Sequence, residues 1–217
     1  IYTLSLHDAL PISISFEHFW NGWAARRDNI MLIVCGSATS WMEDNLINSK
    51  GGLYNRLHHE IKLYPFTLSE CEAYFHSRGM AMSRYDLAQA YMVFGGIPHY
   101  LSLFEKGLST PQNIDLLLFK KDAKLKIEFD RLFGSLFKNP EDHIKVIRLL
   151  AQRRGGYPRK EILEMTGLKD GGGASDILKG LAASDFITAY SPFGEGKTER
   201  YKLADSFCRV YLTFIDR

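Results

Sequence analysis

Along this chain the spacing of apolar positions changes several times, and each change marks an expected element. Ile30 to Cys35 is an unbroken apolar run, without the alternation of a half-exposed strand, and predicts a strand buried on both faces, as in a parallel sheet covered by helices. It stops at Gly36-Ser37-Ala38-Thr39-Ser40, a tight turn. Trp41, Met42, Asn45, Leu46 and Asn48 then predict a helix over about 38–48, ended by Ser49-Lys50-Gly51-Gly52. Upstream, Phe16, Phe19, Trp20 and Trp23 fall at i, i+3, i+4 and i+7, which predicts an amphipathic helix over 15–27 with Ser15 as its N-cap.

Glu60 to Tyr64 alternates polar and apolar, so a short strand is expected there, and Pro65 stops it from continuing as a central strand. Helices dominate from this point. Thr67 with Glu70 three residues on is a capping box before Cys71, Tyr74 and Phe75. Two more helices are predicted over 83–94 and 98–106, separated by Gly95-Gly96, with Pro98 in a first turn where no amide bond is lost. A long helical stretch is expected over 116–137, and Asn139-Pro140 reads as a boundary. Beyond it the pattern gives a helix around Ile144 to Leu150, a turn at 155–158, a short helix at 159–165 and a third at 175–183. Strands at 186–190 and 198–203 follow around a hairpin loop at 191–197, then a closing helix at 205–215.

Composition narrows the class of protein. Of the 217 residues 46% are hydrophobic and 24% charged, ordinary values for a globular chain, and no run of 18 apolar residues suggests a membrane span. A cytoplasmic location is expected, with no membrane partner. The net charge of +2 leaves no global footprint for nucleic acid, so any such contact requires a local patch. Cys35, Cys71 and Cys208 lie in apolar contexts without CxxC spacing and are expected to be buried and reduced. The seven histidines form no ligand pattern, and no metal bound by the protein's own side chains is expected.

Residues 1–12 are similar, position for position, to one reading frame of a common sequencing adapter. They are expected to lie outside the natural chain, which would start near Ser13 with upstream residues missing. No GxxxxGK[ST] loop occurs in the sequence.

Three stretches carry a resemblance: CGSATSWM at 35–42, KGGLYNRLHHEIKLYPFTLSECEAYF at 50–75 and FGGIPHYLSLF at 94–104. In this order they resemble the archaeal and bacterial ATPase family near the AAA+ and STAND classes of P-loop proteins. The resemblance implies an α/β fragment, the C-terminal part of a P-loop sheet with a helical lid, followed by a winged-helix domain and mostly helical overall. In its terms 13–66 is the end of the ATPase core, 67–138 the lid and linker, and 139–217 the winged helix. Ser37 and Thr39 match the sensor position that orients water toward the γ-phosphate, and Arg56 matches an arginine that reaches a phosphate. Gly95, Gly96 and Pro98 match the lid segment beside the adenine. ATP and Mg²⁺ are the implied cofactors, and a homo-oligomer is compatible with the family. The phosphate-binding loop would lie upstream, so this chain by itself is expected not to hydrolyse ATP.

Within the winged helix, Lys179 on the third helix and Lys197, Arg200 and Lys202 in the wing are the candidate contacts to DNA, with Arg153, Arg154, Arg159 and Lys160 as a further basic edge. Lys and Arg barely outnumber Asp and Glu over 140–217, which is weak for a DNA-binding surface. Two functions are therefore carried forward. One is an ATP-driven switch that acts through a winged helix on DNA or on a protein partner, and the other a non-enzymatic winged-helix DNA-binding regulator.

Overall fold

The computed structural model describes residues 9–36, 58–194 and 198–216. Its first helix, α1, spans Ala9–Gly22, and a 3₁₀ turn follows at Ala24–Arg26. The helix thus begins well before Ser15, which lies inside it instead of capping it, and it ends at Gly22, a residue that costs helix stability. The Phe19 and Trp23 rings lie 5.3 Å apart at a tilt, with Arg27 over the Trp23 ring, yet both residues remain more than 40% exposed.

Residues 30–36 do not form the buried strand that their composition predicts. They take no regular secondary structure, with Met31 86% and Ile33 80% exposed, and Cys35 is exposed too. Glu60 to Tyr64 is likewise no strand, and Ile61 and Leu63 stand in solvent. The reason is shared. A strand exists only by exchanging hydrogen bonds with neighbours, and among the described residues none lies alongside either segment. No parallel sheet occurs among the described residues, and the expected helix at 38–48 lies outside them.

The helical block follows the sequence closely. Helix α2, Leu68–Ser77, starts at the predicted capping box: the Glu70 amide donates to Thr67 Oγ1, and the Thr67 amide donates back to the Glu70 carboxylate at 2.8 Å. These bonds, the backbone one foremost, hold the Glu70 carboxyl below its ordinary range. Helix α3, Arg84–Phe94, is capped by Ser83, and α4, Pro98–Ser102, opens on its proline. Helix α4 ends four residues earlier than predicted, and the Arg78 guanidinium donates to the carbonyls of Leu101 and Phe104 at its end, at 2.9 and 3.1 Å.

Helix α5, Thr110–Ile114, runs into a π turn at Asp115–Phe119, and α6 spans Glu128–Leu136. The continuous helix expected over 116–137 is therefore broken. In a straight helix Leu117 and Leu125 would stand about 12 Å apart along the axis. The chain instead folds back so that the Leu125 amide donates to the Leu117 carbonyl at 3.0 Å, which places both residues in one core.

Helix α7, Pro140–Ala151, begins at the predicted Asn139-Pro140 position. Then come β1, Tyr157–Pro158, α8, Arg159–Thr166, α9, Gly172–Ala183, β2, Ile187–Tyr190, β3, Arg200–Leu203, and α10, Ser206–Phe214. The three strands form an antiparallel sheet in the order β1-β3-β2, with Tyr157 opposite Tyr201 and Ile187 opposite Leu203.

One apolar core runs from Cys71 to Tyr211 across the Pro140 position. Aromatic rings trace it: Phe75 to Phe104 to Phe94 to Tyr100, then Phe207, Tyr211, Phe129, Phe133 and Phe186. Burial pushes the Cys71 thiol up to about 11 and the Cys208 thiol upward as well, so both stay protonated and act as small apolar groups.

His143 packs face to face on Phe137 at 3.9 Å, and burial depresses its pKa. The unfolded chain holds this proton more tightly than the folded one. Stability is therefore expected to fall on acidification from the ordinary histidine range near pH 6.5 down to the depressed value, and the slope from this residue to vanish below it. Melting temperature followed from pH 7.5 to 5, compared with His143→Gln, checks this; the variant should lose part of the slope.

Candidate functional site

Two of the three sequence motifs meet at a single joint. Helix α3 stops at Phe94, and the chain turns through Gly95, whose amide donates to the Tyr91 carbonyl at 2.8 Å. The next residue, Gly96, lies flat against Phe66, the last residue of the Leu63-Tyr64-Pro65-Phe66 stretch. The Phe66 amide donates to the Gly96 carbonyl at 2.7 Å, and a Cβ on Gly96 would stand 1.8 Å from the Phe66 carbonyl oxygen. No side chain fits between these two backbones. Pro98 then starts α4 with its ring exposed, and His99 beside it is exposed as well.

The joint is held from both sides. Thr67 and Glu70 fix the direction in which the chain leaves Phe66, and the Cys71 thiol lies 3.9 Å from the Phe66 carbonyl. On the far side Arg78 ties the end of α2 to the end of α4 through two carbonyls and covers the Tyr74 ring. Arg78 carries this role without having been singled out in the sequence. The available signal was an arginine at a helix end followed by glycine, which is common to many surface turns. Gly95, Gly96 and Pro98 thus come together with Phe66 and Arg78. Ser37, Thr39 and Arg56 lie outside the described residues.

The second candidate face is built on the three-stranded sheet. Arg200 and Lys202 lie two residues apart on β3, so they share one side of it. The Lys202 ammonium sits 5.0 Å over the Tyr190 ring, whose hydroxyl donates to the Gly155 carbonyl at 2.7 Å. Tyr201, on the opposite side, donates to Glu199, and its pKa is pushed up to about 12, first by burial and then by that carboxylate. Lys179 is exposed on α9 in the same surface as Asp176, and Lys197 lies outside the described residues.

In the further basic edge, Arg159 is paired closely with an acid, and Arg153 and Lys160 have acids at longer range across solvent. Arg159 donates to Asp170 at 2.7 Å, which holds that carboxyl below its usual range, Arg153 stands 3.7 Å from Glu161 and over Tyr157, and Lys160 lies 3.9 Å from Glu164. Among the described residues no group of three His, Cys, Asp or Glu side chains is placed to hold a metal ion. Nor is any described helix long and apolar enough to cross a membrane.

No protein-family model and no curated protein matches the chain. Its fold is similar to the solved structure of a Walker-type ATPase of Pyrococcus abyssi, with a TM-score of 0.62 and 17% sequence identity over 96% of this chain. The chain spans 60% of the length of that protein. At this identity the likeness establishes a fold in common.

Proposed function

We propose that this chain is part of an ATP-binding, ATP-hydrolysing switch protein, related to the AAA+ and STAND classes, in which nucleotide state is passed to a winged-helix module. The observation that carries the reading is the likeness in fold to a Walker-type ATPase over nearly the whole chain, joined to three motifs in the matching order. The order helix, short strand, helix, helix, hairpin after Pro140, closed by the sheet order β1-β3-β2, supports the winged-helix assignment.

In this reading Ser37 and Thr39 hold the attacking water, Arg56 donates to a phosphate, and the turn at Gly95 to Pro98 borders the adenine. Mg²⁺ would supply neutralisation of the phosphate oxygens. The Gly96 backbone is already committed to Phe66, so the contribution of this turn is position: it sets where the mouth of α4 stands relative to the segment that follows Arg56. For the winged helix, the near balance of cations and acids over 140–217, with Arg159 held by Asp170, favours a protein partner over DNA, because non-specific DNA affinity depends on net positive charge that neutralises phosphate.

The test is ATP turnover by the product of the complete gene, wild type against Arg56→Ala. Turnover is expected to fall at least about tenfold, within the range known for arginines that stabilise phosphoryl transfer, with little change in melting temperature. Unchanged turnover rejects the role of Arg56. A complete gene product that neither binds nor hydrolyses ATP overturns the reading itself.

A further inference from the structure

The sequence places a domain boundary at Pro140, and a switch of two domains would be expected to bend there. The packing argues otherwise. We infer that residues 67–216 form one rigid arm with no internal hinge at Pro140, and that the arm turns as a unit about a joint made by Phe66 and Gly96. The inference stands whether or not the protein uses ATP.

Helix α10 is the reason. It is the last element of the C-terminal unit, yet it is built into the helical block. Phe207 is fully buried with its ring 5.0 Å from Tyr100 of α4, and Ser206 lies at Gly95. Tyr211 stacks parallel on Phe129 of α6 at 4.8 Å, and its hydroxyl donates to the Lys126 carbonyl at 3.1 Å. A second crossing lies beneath α7: Phe133 stacks on Phe186 at 4.8 Å, and Phe137 packs on His143. Close-packed rings of this kind have discrete arrangements and do not flex continuously, so bending at Pro140 would have to tear both crossings open.

The other end of the arm is held differently. Residues 58–65 are exposed, and Phe66 is only half-buried. Residues 58–65 have one described tie to the arm, a long Lys62–Asp185 ion pair at 3.9 Å between exposed groups, while Phe66 itself is joined to it by the Gly96 hydrogen bond, the Cys71 thiol and its ring 5.8 Å from Tyr74. An exposed pair of that length contributes little. Pro65 fixes its own φ and keeps Tyr64 extended, and the capping box holds Thr67, which concentrates rotation on the bonds of Phe66. Any displacement of the 58–64 segment is then carried undiminished to the sheet and the hairpin some distance along the arm.

Hydrogen exchange on the whole chain separates the two mechanical pictures. Phe207→Ala should lower protection by a similar factor in α2 to α6 and in α7 to α9, because one body opens as a unit. Loss confined to 140–216 would overturn the inference. If Phe207→Ala does not fold, Phe207→Leu gives the same comparison at smaller amplitude. Spin labels at Tyr85→Cys and Lys160→Cys, in a Cys35→Ser background, should give one narrow distance distribution, and a broad or double one would also refute a single arm. For the joint, Gly96→Ala should speed exchange of the Phe66 amide at least tenfold while protection within α3 and α10 is kept. Equal loss throughout the arm would show that Phe66 is part of the body and not its pivot.

Discussion

Phe133→Ala is expected to cost about 4 kcal/mol of folding stability, the range measured for deleting a fully buried phenyl ring. Phe133 has no exposed surface and touches three rings, Phe129, Phe137 and Phe186, that belong to α6, to the turn before α7 and to the position just before β2. Its removal leaves a cavity between elements on both sides of Pro140, and ring-to-ring packing limits how far the walls can collapse. For a chain of this length about 4 kcal/mol corresponds to a fall in melting temperature of roughly 8–16 °C. Urea denaturation followed by both far-UV circular dichroism and tyrosine fluorescence checks the size. A loss under about 1 kcal/mol would mean that the ring is not in the core.

Gly156→Ala is expected to cost about 3 kcal/mol, from two causes that add. Gly156 has φ +62°, where a side chain is strained, and a Cβ there would stand 1.9 Å from the Tyr201 carbonyl oxygen. The neighbour is backbone of β3 and cannot swing aside as a side chain would. Relief requires β1 to lift off β3, which breaks the pairing of Tyr157 with Tyr201. The adjacent Gly155→Ala is the control: its Cβ would meet only the Tyr190 hydroxyl at 3.9 Å, an ordinary contact, so melting temperature should barely move. Equal effects at the two positions would contradict the close approach.

The local signals were legible where an element is decided by its own residues. Thr67 with Glu70 and Ser83 mark helix starts through bonds closed within one turn, Pro98 marks one by needing no amide bond, and all three stand at the starts of the expected helices. Periodicity likewise gave the helices and the two hairpin strands after Pro140 in the right order, though two helices start three to four residues earlier than expected and the short strand at Tyr157–Pro158 had been read as a turn. It failed where the outcome depends on partners distant in sequence. Ile30 to Cys35 and Glu60 to Tyr64 have the composition of strands, but strand formation is decided by neighbours that composition does not reveal. The break at 115–127 escaped for a related reason: Leu117 and Leu125 meet through a fold-back that no period of 3.6 encodes. Of the candidate site, the motif Gly95-Gly96 was visible, while its contact with Phe66, thirty residues upstream in a differently patterned stretch, was not.

The hydrogen bond from Tyr211 to Lys126 joins residues 85 positions apart, and it has a consequence for the order of events during synthesis. At about 5–20 residues per second, Lys126 and Phe129 are synthesised roughly 4–17 seconds before Tyr211. Throughout that interval Tyr100, Phe129 and their neighbours stand open on the nascent chain. Translation that stalls or terminates ahead of Asp205 would release a product with this apolar wall uncovered, a natural client for chaperones and a poor candidate for solubility.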